Sequence, residues 1–188
     1  MPAGTRHRPG AGLRPGRTVR TGDPMTDTAA TDTAQLVQSL LARVQLLEDK
    51  IAVQEIVTAY GPAVDAGDAD AVGELWTEDA VYDVDMRTMN GRKEILEMVR
   101  TRPHQDYIHE GCGHLLDPVH IRVEGDTAVA TCHSQLLRHD ENGFRVWRVT
   151  ANRFELVKND GRWRIRRRTA RVLDGRDEAR ELLARAGR

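Results

Sequence analysis

The sequence has no uninterrupted apolar run of the ~18 residues that a membrane helix needs, so no segment reads as a span. Aromatic residues make up only 4% of the 188, so a core must come mainly from Leu, Val, Ile and Ala. An excess of either charge is also missing. Lys plus Arg total 28 against 29 Asp plus Glu, and no global field draws the chain to nucleic acid or to a membrane surface. Cysteine is scarce: Cys112 and Cys132 form no framework pattern and read as the reduced thiols of a cytoplasmic protein.

What is present begins with a stretch unlike the rest. "MPAGTRHRPGAGLRPGRTVRTGDP" holds five Arg, four Pro and five Gly, and its only acid is Asp23. It has no apolar segment long enough for a signal peptide and too little to bury, so residues 1–34 are expected to be a disordered leader. Met25 follows at once with "TDTAATDTAQ", which looks like an ordinary start, so native translation is expected there. The length then allows one domain with a sizeable core, over residues 35–175, and a tail or short helix over 176–188.

Leu36, Leu40, Val44, Leu47 and Ile51 repeat at helical steps, and Ile56, Tyr60 and Ala63 continue a second stripe. The drift between the stripes predicts two helical pieces meeting near Lys50. Pro62 should kink or tighten the second, and Gly67 should end it. "DADAVGELWTEDA" predicts a short helix capped by Asp68 or Asp70, with Val72, Leu75 and Trp76 on one side. "AVYDVDM" reads as a strand and "NGRKEILEMVRTR" as a helix. Period-two runs follow, "HLLDPVHIRVEG", "DTAVATCHSQLLRH", "FRVWRVTANRFELVKN" and "RWRIRRRTARVL", separated by the turn formers "EGD", "DENG" and "NDG". Helices first and hairpins afterwards predict an α+β fold: a curved antiparallel sheet wrapped over N-terminal helices, forming a cone with a central pocket.

That order, with "AVDAGDADAVGELWTEDAVYDV" early and "VEGDTAVA" and "NDGRWRI" late, resembles the SnoaL-like branch of the nuclear-transport-factor-2-like superfamily over about residues 35–175. The superfamily includes dehydratases, a dehydrochlorinase, polyketide cyclases, an isomerase, epoxide hydrolases and members without chemistry, so the resemblance implies the fold more narrowly than the reaction. In the scytalone-type and bile-acid-type dehydratases and the dehydrochlorinase, an aspartate ending the long helix pairs with a histidine at the start of the sheet. Asp65 in "AVDAGD" and His114 in "GCGHLLDPVHIRV" fall on those positions. Tyr60 matches a pocket tyrosine of the bile-acid type, and Arg171 matches a pocket arginine across a one-residue gap. On the strand "TCHSQLL", where bile-acid enzymes place another acid, this chain has Leu137, with His133 four residues earlier as its possible substitute.

Histidine ordinarily titrates near 6.5 and suits proton abstraction beside a carbonyl or leaving group. A carboxylate on its other ring nitrogen fixes the tautomer and stabilises the imidazolium. Asp65 and His114 supply those parts, and Tyr60 could donate a hydrogen bond to a substrate oxygen. Each has a quieter reading: Asp65 as a turn or helix cap, Tyr60 as a core aromatic about 140° around the helix from Asp65, His114 as a structural histidine. His133, Arg171, Tyr82 and Trp76 are candidate substrate-binding or pocket-wall residues. "HEGCGH" invites a metal reading, but no HxH or HxxxH pair supplies the remaining ligands, so none is expected. Six Arg in "RWRIRRRTAR" are split by strand alternation and lack interleaved aromatics, so no nucleic acid is expected either.

The function expected is a cofactor-free, dehydratase-like lyase acting on a small hydrophobic or polyketide-like substrate, in a cytoplasmic homodimer. A polyketide cyclase or isomerase using the same pair, or a noncatalytic small-molecule-binding module, are the alternatives.

Overall fold

The structure, a computed structural model, describes Gly4, residues 24–85 and residues 87–184, with side chains from residue 30 onward in the first helix. The expected disordered leader lies, up to residue 23 and apart from Gly4, outside the described residues. The chain divides into two compact units, Met1–Leu41 and Ala42–Arg188. In the first, the described backbone is helical from Pro24, and Leu36, Val37, Leu40 and Leu41 are all exposed.

The second unit is the α+β cone. Its helices are the continuation of α1 (Pro24–Asp65), α2 (Ala69–Glu74), α3 (Arg92–Arg100), α4 (His104–Glu110) and α5 (Asp177–Ala184). Its strands are β1 (Trp76–Val84), β2 (Arg87–Asn90), β3 (Cys112–Leu116), β4 (His120–Glu124), β5 (Thr127–Asp140), β6 (Gly143–Asn159) and β7 (Arg162–Val172). They form a seven-stranded sheet in the order β2-β1-β7-β6-β5-β3, with β4 also paired to β5. Every pairing is antiparallel except β1 with β7, which is parallel.

The predicted break near Lys50 does not exist, for α1 runs through it. Of the stripe expected to face the core, Leu36, Leu40, Val44, Leu47 and Ile51 are exposed. Burial starts at Val53 and repeats at Val57, Tyr60 and Val64, a stripe at steps of four and three. Just before it, the buried Asp49 accepts hydrogen bonds from Lys158 Nζ at 2.7 Å and Trp163 Nε1 at 2.9 Å, tying the helix to the β6–β7 hairpin. Burial raises its pKa, and the bonds from Lys158 and Trp163 reverse that, leaving the carboxyl below its usual value.

Asp68 caps α2 as predicted, its Oδ1 accepting Ala71 N–H at 2.9 Å. Trp76 does not extend that helix but opens β1. The run "HLLDPVHIRVEG", read as one strand, is two, because Pro118 lacks the N–H a continuous ladder needs. On the inner face, Ala128, Ala130 and Cys132 of β5, Phe154 and Leu156 of β6, and Trp163 and Ile165 of β7 pack against the α1 stripe.

One irregularity re-aims the end of β7. Glu155 pairs with Arg167 and Leu156 with Ile165, so Arg166 is an extra residue without a partner. An extra residue reverses the side-chain phase. Trp163 and Ile165 point inward before the bulge, and Arg168 and Ala170 do so after it. On the outer face, α5 packs Ala179 and Leu182 over Ala151.

Candidate active site

Tyr60 and Asp65 reach the sheet because of the residue between them. A Cβ on Gly61 would lie 2.3 Å from the His114 carbonyl oxygen, a distance only glycine avoids. Pro62 does not interrupt the helix: it lies inside α1, and Gly61 is where the helix backbone meets β3. One helical turn later Asp65 faces the same strand.

The Asp65 carboxylate is organised entirely by β3. Its Oδ1 lies 2.5 Å from His114 Nδ1, and its Oδ2 accepts the His114 backbone N–H at 2.7 Å. Cys112 Sγ donates to Oδ1 from 3.6 Å. This is not a capped turn in solvent: the Asp65 side chain is 24% exposed and the His114 side chain 21%. Burial pushes the Asp65 pKa up, but the bonds from the His114 ring and backbone, with the ring's charge, hold it below the usual carboxylate range. An ionised Asp65 accepts a proton carried on Nδ1, and the tautomer with its proton there has Nε2 as its acceptor. The ring is backed by His104, whose centroid lies 5.6 Å away. Buried His104 places Nε2 3.2 Å from the Val64 carbonyl, and burial foremost lowers its pKa.

His114 opens onto a cavity of about 70 Å³, whose walls include Tyr82, Ser134, Leu136, Thr150 and Arg168. It is smaller than the pockets of roughly 300 Å³ or more that hold drug-sized ligands, and its lining mixes hydroxyls and guanidinium groups with the apolar Val84, Leu136 and Ala170.

Tyr82 lies on the cavity wall. Tyr60 and Trp76 are buried behind it in an aromatic cluster, the Tyr60 ring edge-on to Trp76 at 6.2 Å and to Tyr82 at 6.3 Å. Burial, then the neighbouring Tyr82, raise the Tyr60 pKa against the opposing charge of Arg168, so the phenol keeps its proton.

Two expected residues are not brought to the cavity. His133 is half-exposed and 3.6 Å from Asp117, because β5 turns Ala130, Cys132 and Ser134 inward and the residues between them outward. Arg171 grips Asp83, with Nη2 to Oδ2 at 2.7 Å, and lies out of phase with the inward Arg168 and Ala170. Arg168 takes its place. Simple alternation from Trp163 and Ile165 would lead to Arg171, and only the bulge at Arg166 selects Arg168. Asn152, which binds Arg168, and Arg148, which pairs with Asp85 and lines the cavity, were also not singled out from sequence.

Asp65, Cys112 and His114 bring three potential ligand atoms within 4.8 Å of one another. They do not fit a metal centre well. Asp65 Oδ1 is committed to His114 Nδ1 and Oδ2 to the His114 backbone N–H, and burial with the adjacent Asp65 pushes the Cys112 thiol up to about 11, far from the thiolate a metal needs.

Residues 45–169 match the SnoaL-like domain family. None of the curated proteins matches the chain. Among solved structures, an NTF2-like protein with a cystatin-like fold from Novosphingobium aromaticivorans is 41% identical, with a TM-score of 0.76, covering 78% of this chain and 96% of its own. A Mycobacterium tuberculosis protein of unknown function is 20% identical, with a TM-score of 0.64, covering 76% and 91%. The hexachlorocyclohexane dehydrochlorinase of Novosphingobium barchaimii is 17% identical, with a TM-score of 0.61, covering 70% and 90%. At those last two identities the likeness is one of fold.

Proposed function

The chain belongs to the SnoaL-like domain family, and from that premise we propose that it is a small-molecule-converting enzyme in which Asp65 and His114 move a proton. One observation carries the reading: the 2.5 Å contact between His114 Nδ1 and Asp65 Oδ1 at the edge of a cavity. His114 Nε2 removes a proton from carbon, and Asp65 holds the imidazolium that results. In a dehydratase-like elimination the C–H electrons form the new double bond, the C–O bond breaks, and His114 returns its proton to the departing hydroxyl. Carbon and oxygen balance without a cofactor. Tyr82, a donor on the cavity wall, would serve the developing oxyanion in place of the deeper Tyr60. Cyclisation and isomerisation share the first proton transfer and differ only in where the electron pair goes next.

Deuterium uptake at carbon tests this. Small carbon acids incubated with the enzyme in D₂O should exchange, and Asp65→Asn should slow that exchange by about 10³–10⁴-fold while the protein stays folded. Exchange that is as fast in Asp65→Asn as in the unaltered enzyme removes the mechanism.

The assembly we propose is a homodimer through the sheet. Leu115, Phe144, Val146, Trp147 and Val149 are 39–70% exposed on β3 and β6, a set of large apolar side chains that a second copy would cover. No described helix is long and apolar enough to cross a membrane.

A further inference from the structure

The cavity floor holds a charge that the proton-transfer reading does not use. Arg168 is 4% exposed. Its Nε and Nη2 both donate to Asn152 Oδ1, at 3.1 and 2.8 Å, and its Nη1 is buried with no acceptor. Tyr60, Tyr82 and Phe154 turn their ring faces to the guanidinium at 4.4, 4.8 and 4.9 Å. The neighbouring arginines differ, since Arg171 holds Asp83 and Arg148 holds Asp85. No ion pair to Arg168 forms among the described residues.

A guanidinium is a cation, so Arg168 sets a positive charge in the core. Ring faces and one neutral amide offset only part of what water gave that charge. The residues around it are arranged to donate. Asn152 Nδ2 gives its hydrogen to Ser134 Oγ at 2.8 Å, which leaves the Ser134 hydroxyl proton free for a guest. Ser134, Thr150 and Arg168 line the same cavity as His114. This end of the site offers N–H, O–H and positive charge, and it lacks only an acceptor bearing negative charge.

We infer that Arg168 is an anion-binding residue and that the molecule this cavity takes carries a carboxylate, seated on Arg168 Nη1 and the Ser134 hydroxyl. The volume of about 70 Å³ limits that molecule to a compact acid. The inference rests on the cavity being the substrate site, as proposed above, but not on the proton transfer. It replaces the hydrophobic guest expected from sequence with a short acidic one.

The test is an NMR titration of the full chain with acetate and, separately, with acetamide, which has the same shape and no charge, at constant ionic strength. Acetate should shift the Arg168 Nε–H and Asn152 side-chain resonances saturably, and acetamide should bind at least about tenfold more weakly. Arg168→Lys keeps the charge but loses the planar fork, and should weaken acetate by about tenfold. If that variant does not fold, the acetate–acetamide ratio on the unaltered protein still decides. Equal binding of the two probes overturns the inference, as do acetate shifts confined to surface arginines. Asp65→Asn separates the two readings, because it should retain acetate binding within about threefold while abolishing proton transfer. Its loss of acetate binding counts against a distinct anion site.

Discussion

Gly61→Ala offers a test in which local and tertiary physics oppose each other. Within a helix, alanine is favoured over glycine by about 1 kcal/mol, so helix propensity alone predicts stabilisation. The new Cβ, however, would lie 2.3 Å from the His114 carbonyl oxygen and 3.4 Å from the Leu116 side chain. The closest ordinary carbon–oxygen contacts are roughly 3.3 Å, so helix and strand must separate by about 1 Å. Forcing that into a packed interior costs about 1–3 kcal/mol, and the clash with backbone favours the upper end. The net expectation is a loss of about 1–2 kcal/mol, or roughly 2–8 °C in Tm for a unit of this size. The displaced strand carries both His114 bonds to Asp65, at 2.5 and 2.7 Å, and these should lengthen together. Thermal unfolding reads the first effect, and the low-field imidazole proton in the NMR spectrum reads the second. A Gly61→Ala protein that melts at or above the unaltered one, with that resonance unmoved, refutes the close approach of α1 to β3.

Other expectations follow from the same contacts. The folded pKa of Asp65 is depressed, so its contribution to stability is present above the ordinary value of 3.8 and is lost as pH falls through the folded pKa. The difference in urea midpoint between the unaltered protein and Asp65→Asn should therefore shrink only below about pH 4, and a gap that closes between pH 7 and 5 would contradict it. Asp49→Ala removes the acceptor for both Lys158 Nζ and Trp163 Nε1 and should cost about 2–4 kcal/mol in urea unfolding, whereas a change under about 0.5 kcal/mol would mean α1 is not anchored there. Trp147→Glu, at a site 52% exposed, should turn a dimer into a folded monomer in sedimentation, and an unchanged mass would move the interface elsewhere.

Much of the scaffold is legible in the chain. Asp68 announces the start of α2, and the turn formers between the long strands fall where β5, β6 and β7 are joined. The Asp65–His114 pair is reached through the order of motifs, since nothing local to either residue distinguishes a catalytic aspartate from a turn cap. What stayed hidden depends on tertiary contacts. The stripe from Leu36 to Ile51 has ideal helical spacing yet is exposed, because periodicity reports a face and not what covers it. Val53, Val57 and Val64 are the core stripe in its stead. The short β2 and α4 carry too few residues to show a period. Arg171 is reached through the family resemblance across a one-residue gap, whereas Arg168 faces the cavity because a single extra residue at Arg166 exchanges the two faces of β7, which strand periodicity does not mark.

Proton transfer at this site depends on an imidazole whose Nδ1 proton is held by a carboxylate and whose other nitrogen is free to accept. Long-range ¹⁵N–¹H correlation of the histidine side chains at neutral pH measures this directly. For His114 it should show a protonated, low-field Nδ1 coupled to Asp65 and an unprotonated Nε2, with Asp65→Asn moving the Nδ1 proton upfield. A His114 protonated on Nε2, or an Nδ1 signal indifferent to Asp65, would contradict it.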